Sequence, residues 1–304
     1  MGLVALLALG AALALAAAVT AIVRDARHPS RATVGWALAR GLATHPSEAG
    51  MEASEGTVTC TDGTALPMWT VTGGSPEGPA LLLLHGWRRS RIDSLRRLPW
   101  LLPHVRFACV LDLRGHGDAP AGPSTLGAAD VADACAAVRT RPDVPWVVAG
   151  HSLGASVAVR AAAALQASGT PIVGALLMCP YPDVRVPLTG RLSHMGMPAF
   201  PAVWIAARAV WALCGRETPI EDSLRVIGSG SIPTVWITCT EDAIVPPDAV
   251  RALHARARAH GSQATLLVDS DADHDSIGTG HPSWTADAVA ALGLKATRAE
   301  ATTP

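Results

Sequence analysis

From Gly56 onward the chain alternates short, nearly continuous apolar runs with longer stretches that read as helix. The apolar runs are Ala80–Leu84, Phe107–Leu111, Trp146–Ala149, Ile172–Met178, Val235–Thr238 and Ala264–Val268. A strand that is apolar at every position, instead of every second one, has to be covered on both faces. Helix-like stretches separate the runs at Arg91–Leu102, Leu126–Arg139, Leu153–Ala167, Pro247–His260 and Ser283–Leu292. This order predicts an α/β domain: a mostly parallel central sheet with helices on both faces. Gly56–Asp62 and Leu66–Thr72 flank an Asp62-Gly63 turn signal and predict an opening hairpin. With 49% hydrophobic residues in 304, there is enough apolar material for one large core.

The first residues obey a different rule. No charged side chain occurs before Arg24, and Leu, Ala and Val dominate. An apolar run of that length can span the hydrocarbon core as a helix. A cleaved signal peptide is the rival reading, with Ala16–Ala18 as small residues suited to cleavage. Such a peptide normally carries Lys or Arg ahead of its apolar core, and none is found here. Arg24, Arg27, Arg31 and Arg40 follow the run, which by the positive-inside rule puts the rest of the chain in the cytoplasm. The expectation is a single-pass membrane protein with a cytoplasmic domain; an exported domain is the alternative.

A formal net charge of −1 gives no electrostatic case for nucleic acid. The arginines are scattered, and Lys295 is the only lysine. The six cysteines form no C-x-x-C pair, so neither a zinc site nor a redox motif is expected, and they read as small core hydrophobes.

Gly150-His151-Ser152-Leu153-Gly154 follows an apolar strand directly and opens an alanine-rich helix. A serine on so tight a turn lifts its hydroxyl clear of the sheet, and bulky neighbours would clash there. The helix N-terminus then points at the reacting centre, and the backbone N–H of Leu153 can donate to a developing oxyanion. Ser152 is the candidate nucleophile.

With that elbow the chain resembles the α/β-hydrolase superfamily. The resemblance runs from about Gly56 to Gly293 and rests on five segments in the family's order: LLLLHGW at Leu81–Trp87, DLRGHGD at Asp112–Asp118, GHSLG at Gly150–Gly154, TEDAIVP at Thr240–Pro246 and DHDS at Asp273–Ser276. Within the superfamily the chain is similar to small bacterial membrane-anchored serine hydrolases of the esterase, lipase and serine aminopeptidase group. The resemblance implies a domain over 56–294 with a small helical cap at about 180–232. A membrane anchor or signal peptide over 1–23, a connector over 24–55 and a flexible tail over 295–304 complete the expected organisation.

The family order of serine, acid, histidine implies an acid just after Val235–Thr238, where Asp242 stands with Glu241 beside it. Many relatives have glycine shortly before the acid, where this chain has Thr240. The histidine is expected after the last strand, which selects His274, with His281 second. His254 and His260 fall within the preceding helix-like stretch. Asp269, Asp271, Asp273 and Asp275 read as a solvated loop edge around His274. The second oxyanion donor implied by the resemblance is the backbone N–H of Trp87, with Gly86 allowing close approach. His85, His116 and His151 read as structural.

A Ser-His-Asp set needs no metal or organic cofactor. The expected reaction is hydrolysis of a carboxylic ester through an acyl-enzyme. An amidase or peptidase, a thioesterase and an acyltransferase use the same residues, and a binding module on this scaffold is the non-enzymatic alternative. Trp204 and Trp211, with Met195, Met197 and Phe200, suggest an apolar cap wall suited to a hydrophobic or lipid-derived acyl substrate, unless they only pack the cap onto the body. The expected partners are therefore a small acyl substrate and the membrane; the oligomeric state is left open.

Overall fold

The computed structural model describes residues 2–295, so the tail expected over 295–304 lies outside the described residues except for Lys295. Helix α1 (Gly2–Arg27) is long and apolar enough to cross a membrane, and it continues past Val23 through Arg24 and Asp25. A short helix α2 (Val34–Leu38) and one 3-10 turn at Pro46–Ala49 follow. The opening hairpin pairs β1 (Ala53–Thr59) with β2 (Ala65–Thr72), Val58 standing opposite Leu66. Asp62 holds its turn by accepting the Thr64 N–H at 3.0 Å.

The body then runs β3 (Ala80–Leu84), α3 (Arg91–Ser94), β4 (Phe107–Leu111), α4 (Asp130–Arg139), β5 (Trp146–His151), α5 (Leu153–Ala167) and β6 (Ile172–Met178). Between β6 and the next strand lie α6 (Arg185–His194), α7 (Ala202–Cys214) and α8 (Ile220–Ser229). The described residues close with β7 (Thr234–Cys239), α9 (Pro247–Ala259), β8 (Ala264–Asp269) and α10 (Thr285–Ala291). The eight strands form one sheet in the order β1-β2-β4-β3-β5-β6-β7-β8. From β4 to β8 all neighbours are parallel, while β1 and β2 are antiparallel. Every residue of β3 is 0% exposed, as an uninterrupted apolar run demands.

After β3 the chain adds β4 on one side and returns to place β5 on the other. The loops leaving β3 and β5 therefore diverge, opening a crevice at their C-terminal ends. The Gly150–Gly154 elbow and the His85–Trp87 segment both reach that crevice.

Two expected helices are shorter than their patterns suggested. In place of one helix over Arg91–Leu102 there is a single turn, α3, followed by 3-10 turns at Leu95–Arg97 and Leu102–His104. Pro99 and Pro103 cannot donate to a helical ladder, and the side chains here bond other loops instead. The stretch from Leu126 starts its helix only at Asp130, because Leu126 and Gly127 take positive φ angles of 52° and 103°. The insertion between β6 and β7 carries α6 and α8 in addition to the one apolar helix expected.

Candidate active site

Ser152 sits on the turn from β5 to α5 with φ 53° and ψ −114°, a strained combination for a residue with a side chain. The crossing is tight. A Cβ on Gly150 would fall onto the backbone of Gly154, and one on Gly154 onto the carbonyl of Leu84 at the end of β3. The Ser152 N–H donates to the Met178 carbonyl on β6 at 2.8 Å, fixing the elbow to its neighbour strand.

Two loops bring side chains to this hydroxyl. Asp242 follows β7 and His274 follows β8. Ser152 Oγ lies 2.9 Å from His274 Nε2, and His274 Nδ1 lies 2.7 Å from Asp242 Oδ2. The other Asp242 oxygen accepts the N–H groups of Ile244 and Val245 at 2.8 and 2.7 Å. Burial alone would raise the Asp242 carboxyl, but His274, the Val245 N–H and the Cys179 thiol outweigh it and hold it below its ordinary value. Glu241 and His281 are both exposed, as is Thr240, so a side chain is accommodated where many relatives have glycine.

The Leu153 N–H opens α5, and the Trp87 N–H lies in the loop after β3. Neither donates to an acceptor among the described residues. Trp87 and Ser152 line the same narrow cavity. Gly86 is needed between them, because a Cβ there would sit 2.9 Å from His151 Nδ1.

A sequence profile described as the alpha/beta hydrolase family matches residues 81–292. The chain belongs to the alpha/beta hydrolase family. It is 42% identical over 197 residues to Lipase LipV of Mycobacterium tuberculosis, covering 57% of this chain and 71% of that relative. Among solved structures it resembles an esterase of Pyrococcus furiosus, with TM-score 0.64, 20% identity, and coverage of 83% of this chain and 94% of that one. An alpha-beta hydrolase from Vibrio vulnificus gives TM-score 0.61 at 20% identity, with 84% of each chain covered. At these identities the two structures show the fold.

What surrounds the serine in this hydrolase is largely support. His85 donates from Nδ1 to the Gly86 carbonyl at 2.8 Å and accepts the Leu113 N–H at Nε2, tying two loops together. His116 donates to the Arg114 carbonyl, and burial pushes its pKa down to about 3. Asp112 accepts from the Arg91 backbone and guanidinium and from the Asp118 N–H, at 2.6 to 2.9 Å. These contacts account for the DLRGHGD segment as a brace.

His151 has a more particular place. Its Nε2 donates to the backbone carbonyl of His274 at 2.6 Å, so the residue next to the serine holds the residue facing the serine. Burial pushes His151 well below its ordinary value, which keeps it neutral. Arg97 grips the same loop: it pairs with Asp93 at 2.9 Å and donates to the carbonyls of Ile277 and Asp275. Its side chain is buried, and a second arginine, Arg96, also reaches the Asp275 carbonyl. The aspartates after β8 do more than edge a solvated loop. Asp269 accepts the Trp284 indole N–H, Asp273 caps Asp275 and Ser276, and Asp275 pairs with Arg89. Apart from the local Asp273 cap and the Arg97–Asp93 pair, nothing in the spacing marks these bonds, because they close across gaps set by the fold.

A thiol sulfur of Cys179, an Asp242 oxygen and a His274 ring nitrogen lie within 4.8 Å of one another. Such donors suit a divalent ion. Asp242 and His274 already use these atoms on each other, so an ion there would break the chain to Ser152. The Cys239 thiol and burial push Cys179 well above the ordinary thiol range, which keeps it neutral beside Asp242.

Proposed function

We propose that the protein is a carboxylic ester hydrolase in which Ser152 is the nucleophile, His274 the general base and Asp242 the group that orients the imidazole. The observation that carries this reading is the continuous chain from Ser152 Oγ through His274 to Asp242, at 2.9 and 2.7 Å, set on a strained elbow. His274 takes the serine proton as Oγ attacks the carbonyl carbon, then returns it to the departing alcohol. The Leu153 and Trp87 N–H groups donate to the oxygen that becomes negative. Water, activated by His274, cleaves the acyl-enzyme. The naming of one relative as a lipase and one fold neighbour as an esterase supports an ester as the substrate.

In the same reading α1 stays on the mature protein as a single-pass anchor, with the domain on the cytoplasmic side. Its last turn is built into the body: the Trp87 indole donates to the Ala26 carbonyl at 3.0 Å, and the Ser124 N–H donates to that of Arg27 at 2.7 Å. Asp25 pairs with Arg88. Cleavage at Ala16–Ala18 would leave these contacts in place; what favours an anchor over a leader is the lack of Lys or Arg ahead of the apolar run.

Labelling the purified full chain with a fluorophosphonate and locating the adduct by mass spectrometry tests the chemistry. Labelling at Ser152 that vanishes in Ser152→Ala and collapses in His274→Ala is expected, alongside turnover of simple esters. A folded wild-type protein that neither labels nor turns over an ester removes the proposal.

A further inference from the structure

Ser152 lies at the bottom of a neck of only about 30 Å³. Beside it is a much larger cavity of about 500 Å³ with mostly apolar walls. One wall is α1, through Ala18, Ala21 and Ile22; the facing wall is the corner between α6 and α7, through Leu192, Met195 and Met197. Leu188 and Arg191 border both spaces and form the partition between them. Arg191 stands over the Trp87 ring at 4.2 Å, so the partition is made of side chains and not of backbone.

The corner faces the way α1 leaves the body. Ala202, at the start of α7, borders the cavity beside Ala18 and Ile22. Cys214, at the end of α7, donates to the Ser124 carbonyl, and Ser124 in turn bonds Arg27. The two helices thus run side by side in the same sense, and the start of α7 lies toward the apolar part of α1. On that edge Phe200 is 76% exposed, Met195 60% and Trp204 48%. Arg185 covers the Trp204 ring at 4.7 Å. Exposed aromatic and methionine side chains backed by arginine, beside a membrane-length helix, have the chemistry of a bilayer interface. A polar cavity of about 560 Å³, lined in part by Arg40, Arg89, Glu241, Asp273 and His274, adjoins the trough and shares Arg88, Arg191, His194 and Ile244 with it.

We infer that α1 is a wall of the substrate site as well as an anchor, and that the substrate is a membrane-resident ester whose acyl chain enters sideways from the bilayer. The chain lies in the trough between α1 and the α6–α7 corner, passes Leu188 and Arg191, and presents its carbonyl to Ser152. Water enters and the alcohol leaves on the polar side. The inference rests on the ester-hydrolase reading above. It adds that the small side chains at Ala18 and Ala21 keep the trough open, a task that tethering alone does not impose.

The test uses the full chain in phosphatidylcholine vesicles and two fluorophosphonates, one with an ethyl and one with a hexadecyl chain. The readout is the ratio of their rates of Ser152 labelling. The wild type is expected to favour the hexadecyl probe. Ala18→Trp and Ala21→Trp, which fill the trough, are expected to lower the ratio about tenfold or more. Leu13→Trp, higher on the same helix, is expected to keep it. A wild type without preference for the long chain, or Trp variants with an unchanged ratio, overturns the inference. So does an equal fall in Leu13→Trp, because the effect then comes from anchoring. Failure of both probes to label Ser152 overturns the ester-hydrolase reading itself, and with it the trough.

Discussion

The elbow and helix α1 are neighbours built on opposite terms. Around Ser152, the backbones of β3, β5 and α5 approach so closely that Gly150 and Gly154 have no room for a Cβ. There the protein itself supplies every contact. Along α1, only Ala26 is fully buried, and Leu3, Leu6 and Leu7 are each at least 66% exposed. For most of that helix the body supplies almost no cover. The geometry of the first region is therefore fixed by packing, whereas most of α1 stands clear of the body. They meet at Trp87, which lines the cavity at Ser152 and whose indole holds α1.

That contrast makes predictions of very different size. The largest concern the elbow. Ser152→Ala should lower ester turnover by roughly 10⁴–10⁶-fold and Asp242→Asn by about 10⁴-fold, measured as kcat with a soluble short-chain ester. Residual turnover close to wild type in Ser152→Ala would show that the elbow is not where the chemistry happens.

Next comes His151, which acts through His274 as a positioning residue. His151→Ala should cost about 10²-fold in kcat with little change in KM, because the imidazole loses its tether. His151→Gln, which keeps a donor toward the His274 carbonyl, should recover part of the loss. Equal damage in both variants, with lowered melting temperatures, would reduce His151 to core packing.

The buried histidines of the body set a pH response that α1 lacks. His85 and His151 are held below their ordinary values and His116 at about 3, so each binds fewer protons folded than unfolded. Stability then rises with pH: their share is complete above about pH 6.5 and is lost as pH falls toward the folded values. Each should contribute a slope of up to about 1.4 kcal/mol per pH unit in that window. Urea melts between pH 7 and 5 would read it, and His116→Gln should flatten the slope. Asp242 has the carboxylate sign: its stabilising share is present above about pH 3.9 and disappears at lower pH.

The smallest stability effects belong to α1. Removing residues 2–17 should leave the melting temperature nearly unchanged while abolishing flotation with vesicles. Trp87→Phe, which deletes the bond to the Ala26 carbonyl, should cost about 0.5–1.5 kcal/mol. A much larger loss on trimming residues 2–17 would mean that this part of α1 belongs to the folding core.

Much of this protein was legible in its residues taken in order. The runs that became β3, β4 and β6 begin and end where the apolar patterns do, and α5 follows its pattern from Leu153 to Ala167. Those features answer to local rules: burial on both faces, and a backbone turn that admits only glycine at two positions. Other features answered to partners far along the chain. Ser152 and His274 are 122 residues apart, and only the packing of β5, β7 and β8 decides that His274 faces the hydroxyl while His281 is exposed, and that Asp242 rather than Glu241 faces the imidazole. The expected helix over Arg91–Leu102 broke because Arg97 and Trp100 bond the loop after β8, a hundred and seventy-eight residues away in the Trp100–Gly278 pair. The docking of α1 against Trp87 has the same cause. Periodicity records which face a residue presents to its own element, while contacts between elements depend on where the sheet carries their ends.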